Sequence, residues 1–223
     1  MIRRVVVLAS FVTLAAGSSW AQDHRVEIGA VAGYTFSDGV TGNGILAGNG
    51  VLYNGIEPKD SFSYGFDIGF FLTEHWEVGG LFSQQKSTLS ITGPTNSFDI
   101  GDMSVDNYHG VITYNFGDSH SKTRLYVMGG AGGTHYSGVN YTSLLGQPRE
   151  TNSHSQFSTT WGLGAKIYPA NNVGLKLGFR WTPTYVKSDY AGWWCDPYWG
   201  CYVAQNAQYS NQFEFAGGLS FRF

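Results

Sequence analysis

His135 and Ser137 stand two residues apart in the segment Gly133-Thr134-His135-Tyr136-Ser137-Gly138. On a β-strand, residues i and i+2 point to the same face. An imidazole beside a hydroxyl can serve as general base to a nucleophile, with Glu150 as the acid that could orient it. A second group lies near the C-terminus, where Trp193, Trp194, Tyr198 and Trp199 surround Cys195 and Cys201 in an otherwise polar stretch. Rigid Trp and Tyr rings give large contact area at low entropy cost, so this ring is a candidate contact surface. A third group is dispersed: Arg25, Glu27, Asp67, Glu77, Arg124, Lys166, Lys176, Arg180, Glu214 and Arg222, six basic and four acidic.

What these residues can do depends on the elements that carry them. The chain opens with the basic Met1-Ile2-Arg3-Arg4, an apolar run from Val5 to Ala16, and the small residues of Ser19-Trp20-Ala21. That order is expected of a secretory signal peptide over residues 1–21. Residues 22–223 then form one domain of 202 residues, with 13 − 2 = 11 basic and 16 acidic side chains, a net charge of −5. Such a balance offers no electrostatic basis for binding nucleic acid. An exported chain meets an oxidising compartment, so Cys195 and Cys201 are expected to form a disulfide. The histidines show no metal-ligand spacing, and no metal or cofactor is expected.

The dominant periodicity is two, which means strands. Phe62, Tyr64, Phe66, Ile68, Phe70 and Leu72 alternate with smaller or polar residues, and seven more segments repeat the pattern. They begin near Val26, Trp76, Tyr108, Leu125, Phe157, Val173 and Phe213, the last running to Phe223. Most approach the 9–11 residues that a tilted strand needs to cross a bilayer. The connections alternate in length. Thr73-Glu74-His75, Gly117 to Lys122 and Pro169 to Asn172 are tight, whereas 37–60, 86–103, 138–154 and 187–210 read as long polar loops. Short turns on one rim and long loops on the other predict an all-β, eight-stranded antiparallel transmembrane β-barrel, with periplasmic turns and extracellular loops.

The ten charged residues all fall on one face of this register, and the other face is nearly free of charge. A charge on the lipid face costs about 2–4 kcal/mol at mid-depth, so the charged face is the lumen. Such charges pair to form a polar plug, or else line a narrow conduit. Tyr34, Tyr64, Tyr136 and Trp181 at the loop ends, and Trp76, Phe116, Tyr168 and Phe223 at the turn ends, are read as interface girdles. The remaining histidines (His24, His75, His109, His120, His154) read as solvated or interfacial.

The closing strand, with Phe213, Phe215, Leu219, Phe221 and the terminal Phe223, resembles that of bacterial outer-membrane proteins. The whole of 22–223 resembles the small OmpA-like superfamily of outer-membrane β-barrel domains. That resemblance implies residence in the cell outer membrane, contact with its lipid and lipopolysaccharide, and recognition of Phe223 by the barrel assembly machinery. The His-x-Ser segment is similar to that of outer-membrane lipid A deacylases. It departs from them in lying on the fifth strand, in having Gly138 where Asn is usual, and in needing Glu150 from a loop. The reading reached is a non-enzymatic surface barrel with a structural, interacting or adhesive role carried by its loops and an extracellular ligand for them. The alternatives are a small solute conduit of the OmpW-like kind and, more remotely, a lipid A-modifying hydrolase.

Overall fold

A computed structural model describes residues 25–46, 52–93, 97–118, 120–142, 148–150, 153–186, 194–196, 200–202 and 208–223. Expected features at 1–24, including the signal peptide, and Trp193, Tyr198 and Trp199 lie outside them. The strands are β1 (Val26–Ser37), β2 (Val40–Leu46), β3 (Leu52–Pro58), β4 (Ser61–Phe71), β5 (Trp76–Thr92), β6 (Ser97–Asn115) and β7 (Thr123–Tyr136). They continue with β8 (Asn140–Thr142), β9 (Pro148–Glu150), β10 (His154–Ala170), β11 (Val173–Val186), β12 (Trp194–Asp196), β13 (Gly200–Tyr202) and β14 (Gln208–Arg222).

Eight of these strands close an antiparallel barrel in the order β1-β4-β5-β6-β7-β10-β11-β14, and β14 returns to β1. The closing register runs from Glu27 opposite Arg222 to Ser37 opposite Gln212. Closure matters because hydrocarbon offers backbone groups no water to bond, so an open edge could not cross a membrane. The short connections follow their sequences. Thr73 caps its own turn, its Oγ1 accepting from Trp76 N at 3.0 Å. Gly117 turns the β6–β7 connection with φ of +83°, a left-handed conformation that favours glycine.

The two faces sort as the period-two pattern predicts. Phe62, Phe66, Leu125, Leu163 and Phe215 are 56–60% exposed on the outside. Glu27, Asp67, Glu77, Arg124, Lys166, Arg180, Glu214 and Arg222 are buried within. Two of the expected girdle aromatics are corrected. Tyr136 and Tyr168 are buried inside the barrel, at 4% and 6% exposure. Both sit on even-numbered positions of strands whose inward parity is even, β7 and β10, beside Thr134 and Lys166. The other six girdle residues are exposed on the outer surface.

The long connections carry strands of their own. Much of 37–60 is the β2–β3 hairpin, and most of 86–103 belongs to β5 and β6. Within 138–154 and 187–210 lie the paired strands β8–β9 and β12–β13. Strand β3 pairs with the upper end of β5, from Gly55 opposite Thr92 to Pro58 opposite Leu89. Above the membrane the polarity of the wall inverts. Val40, Ile56, Leu89, Ile91, Met103, Val105, Tyr136, Val139 and Val186 form a buried apolar cluster on the inside. Lys86 and Asp102 are exposed outside it. Where water rather than lipid surrounds the wall, apolar residues gain by facing inward.

The β2–β3 hairpin therefore extends the wall and contributes Val40 and Ile56 to that cluster. Glu57 at its base has its carboxyl pushed above the ordinary value by burial, then by the charges of Asp38 and Asp60, with Lys59 opposing. An acid raised in the folded state binds its proton more readily there. The hairpin is therefore most stable below the ordinary value of 4.5 and loses that stability as pH rises through the folded value. Hydrogen exchange at the Val40 and Ile56 amides, converted to an opening free energy, should show this loss with rising pH. In Glu57→Gln that slope should flatten.

Candidate functional site

Three layers fill the lumen. The periplasmic layer is ionic. Lys166 Nζ lies 2.8 Å from Glu27 Oε1 and 2.8 Å from Glu77 Oε2. Arg222 Nε reaches Glu27 Oε2 at 3.1 Å, and Tyr168 donates its hydroxyl to the same oxygen at 2.6 Å. Asn115 Nδ2 donates to Glu77 Oε2 at 3.1 Å. The Arg222 guanidinium lies 3.3 Å above the Tyr168 ring centre. Arg124 donates to the carbonyls of Glu74 and Gly117, tying the plug to the periplasmic turns. One step higher, Lys176 pairs with Asp67 at 2.7 Å, and Arg180 pairs with Glu214. The four lumenal carboxylates thus meet four cations across strands remote in sequence.

The packing of this layer depends on glycines that sequence reasoning left aside. A Cβ on Gly69 would sit 1.9 Å from Glu77 Oε1, and one on Gly29 would sit 2.6 Å from Asp67 Oδ1. A Cβ on Gly164 would sit 2.7 Å from the Tyr126 ring. Alternation of Gly with bulky outward residues was the available signal, because an inward Gly in a narrow barrel makes room for an opposing side chain.

The middle layer is neutral and polar. Thr184 donates to Thr134 at 3.0 Å, Thr134 to Asn107 at 2.7 Å, Asn107 to Gln212 at 3.0 Å and Gln212 to Gln85 at 3.1 Å. His109 joins it, with Nε2 2.8 Å from Ser158 Oγ. The interfacial reading of His109 is thereby corrected: its odd position on β6 puts it inside, 4% exposed. Between the ionic and neutral layers lies a cavity of about 40 Å³ bordered by Asp67, Tyr126, Met128, Lys176, Arg180 and Glu214. A water needs roughly 10–15 Å³ measured this way, so the space suits a few waters and no larger solute. The third layer is the apolar cluster inside the extended wall.

The His-x-Ser segment behaves differently from expectation. His135 and Ser137 do share a side of the wall, and both are half-buried. They do not bond each other: Ser137 Oγ accepts from Ser104 N at 2.7 Å. His135 Nδ1 instead lies 2.9 Å from Ser155 Oγ across the β7–β10 ladder. A hydroxyl held by an imidazole is half of a hydrolytic site. The other half is a set of free N–H donors for an oxyanion. Strand β7 is paired on both sides at this level, with Asp106 and Ser155 flanking His135, so its N–H groups are taken up by the ladders. The side chain of Glu150 lies outside the described residues. So do those of Cys195, Cys201 and Trp194, although the backbone pairs Cys195 directly with Cys201 across β12–β13. Among the described residues no group of three His, Cys, Asp or Glu side chains could hold a metal ion.

An eight-stranded barrel, apolar outside and ion-paired within, with short turns at one rim, is the architecture of an outer-membrane protein. The model of the outer membrane protein β-barrel domain matches residues 5–223, and the chain belongs to that family of the outer membrane. No curated protein matches the chain. Among solved structures it is similar to the outer membrane protein OprG of Pseudomonas aeruginosa, at 11% identity and a TM-score of 0.60, covering 90% of this chain and 96% of that one. It is similar also to Neisserial surface protein A, at 13% identity and a TM-score of 0.53, covering 89% of this chain and 97% of that one. At these identities the likeness is one of fold.

The ionic layer gives a direct stability test. Lys166→Met would leave Glu27 and Glu77 buried without their shared cation. Breaking a buried pair in this way costs about 3–5 kcal/mol. Equilibrium unfolding in lipid vesicles, followed by tryptophan fluorescence, should show a loss of that size.

Proposed function

We propose that this protein is a non-enzymatic, non-conducting surface barrel, which acts through the folded crown that its extracellular hairpins build above the membrane. The observation that carries the reading is the lumen, filled in turn by ion pairs, a polar ring and an apolar cluster. A conduit for ions or polar solutes needs a continuous polar path, and the apolar cluster interrupts it. The crown provides contact surface instead. Strands β2, β3, β5 and β6 continue as one sheet beyond the barrel wall, β8 lies against β6, and β13 lies against β2. An adhesive or other interacting role fits a rigid crown, because preformed surfaces lose little entropy on binding. The aromatic segment Trp193, Trp194, Tyr198 and Trp199 is its contact surface in this reading.

Purified protein in planar bilayers should give no unitary conductance. Discrete channels in the intact protein would overturn the plug and favour the conduit reading. Cells displaying the protein should bind immobilised extracellular-matrix proteins or glycans. Replacing Trp194 and Trp199 by Ala should reduce that binding at least tenfold without changing surface levels.

Cys195 and Cys201, direct cross-strand partners in the backbone, are expected to be oxidised on the cell. In unreduced protein, denatured to expose both positions, maleimide should add to neither cysteine. After reduction it should add to both.

A further inference from the structure

Strands β12 and β13 form a sheet of their own. Among the described residues they pair only with one another, in three residue pairs. Trp194 lies opposite Tyr202, Cys195 opposite Cys201 and Asp196 opposite Gly200. Alternation along the strands places Trp194 and Tyr202 on one face of this hairpin and the two cysteine positions on the other. The hairpin belongs to the connection from Val186 to Gln208, residues that pair at the upper end of the β11–β14 ladder. Strand β13 lies against β2, whose Val40 is part of the buried apolar cluster.

A sheet this small needs more than its ladder. Two-stranded hairpins are at best marginally stable in water, and strands usually run to about 5–6 residues. A covalent bond between directly opposite cysteines supplies what the ladder lacks, because it holds the two strands in register. The same bond does little for the rest of the chain. It encloses only residues 196–200, and the constraint placed on an unfolded chain grows with the length of the loop closed. Neither strand enters the barrel ladder, which closes without them. The bond therefore governs the hairpin and leaves the barrel as it is.

We propose that the Cys195–Cys201 bond is a switch for this hairpin, operated by small-molecule thiols outside the cell. Oxidised, it holds Trp194 and Tyr202 opposite each other in register. Reduced, the hairpin melts and that fixed relation is lost, while the barrel stays folded. The step is thiol–disulfide exchange. A thiolate attacks one cysteine sulfur, forms a mixed disulfide and releases the other cysteine as a thiolate. A second thiolate attacks the small-molecule sulfur of the mixed disulfide and releases the first cysteine. Two electrons pass to the cysteines, which take up the two protons the donors lost, and the donors leave joined as a disulfide. Exchange in the reverse direction resets the hairpin. The inference rests on the reading of the aromatic segment as a contact surface and on the bond expected between the two cysteines.

The test uses the full barrel in phosphatidylcholine nanodiscs, equilibrated without denaturant in reduced or oxidised glutathione. Maleimide labelling of the subsequently denatured protein counts reduced cysteines, and hydrogen exchange read by mass spectrometry follows the hairpin. Millimolar reduced glutathione should open the bond. Amides of 194–202 should then exchange at least tenfold faster, and oxidised glutathione should restore them. The β8–β9 pair, equally short and without cysteine, should not respond, nor should the β10–β11 ladder or the heat-modified gel migration. Cys195→Ser with Cys201→Ser should exchange like the reduced protein in every buffer. Unchanged exchange in protein shown to be reduced would overturn the proposal. So would a bond that opens only after unfolding, which would make it a permanent staple, or loss of the folded gel migration on reduction. Two labelled cysteines in untreated protein would sink both the bond and the switch. A hairpin that melts on reduction while binding to immobilised extracellular-matrix proteins persists would support the switch and overturn the contact reading instead.

Discussion

A chain crossing hydrocarbon must satisfy every backbone N–H and C=O internally, and here the β1–β14 ladder completes that requirement. The rest of the structure depends on it. Once eight strands close, the wall has two faces and a fixed, narrow interior. Lipid settles the outer face, which can be as apolar as any core. The inner face must then be filled without water in bulk, and the chain fills it with charges whose every carboxylate meets a cation. Lys166 serves two carboxylates, and Glu27 serves Lys166, Arg222 and Tyr168. Continuum reasoning makes such clusters costly unless every partner is present. The cluster here joins β1, β5, β10 and β14, so the plug forms only when the ring is complete. Backbone closure and lumenal pairing are therefore one cooperative event.

The same logic explains the upper half. At the membrane edge the solvent outside changes from hydrocarbon to water, and the preference of each face reverses. Strand β5 shows the change within one continuous element. Phe82 faces lipid and Ser83 the lumen, whereas farther up Thr88 faces out and Leu89 is buried. No break in the strand is needed, only an exchange of which parity is apolar. The result is a transmembrane barrel with an ordinary soluble core stacked on its mouth.

How much of this was legible depends on which parity was being followed. Outward segments such as Phe62 to Leu72 and Phe213 to Phe223 announce themselves, because lipid demands large apolar side chains at every second position. The ten lumenal charges were legible for the same reason. The crown was not. Leu89, Ile91, Met103 and Val105 keep the period of two but occupy the opposite parity, so a register tuned to the lipid face reads them as loop. Tyr136 and Tyr168 were misplaced by the same habit of assigning any terminal aromatic to a girdle, when their parity matched Thr134 and Lys166. The pairing of His135 with Ser155 was out of reach. It depends on the β7–β10 register, and sequence spacing suggested Ser137 instead.

That register has a further consequence for where function can lie on such a barrel. A lumen filled to this degree leaves little to vary without disturbing the fold, since each carboxylate answers a cation across the ring. The outer wall at mid-height is equally constrained by lipid. Freedom remains at the two places where one solvent gives way to another: the crown and the ring of residues at the outer membrane edge. Side chains on adjacent strands are spaced by about 4.5–5.5 Å when directly opposite. The constraint that closes the barrel is the one that makes its rim a surface of defined spacing.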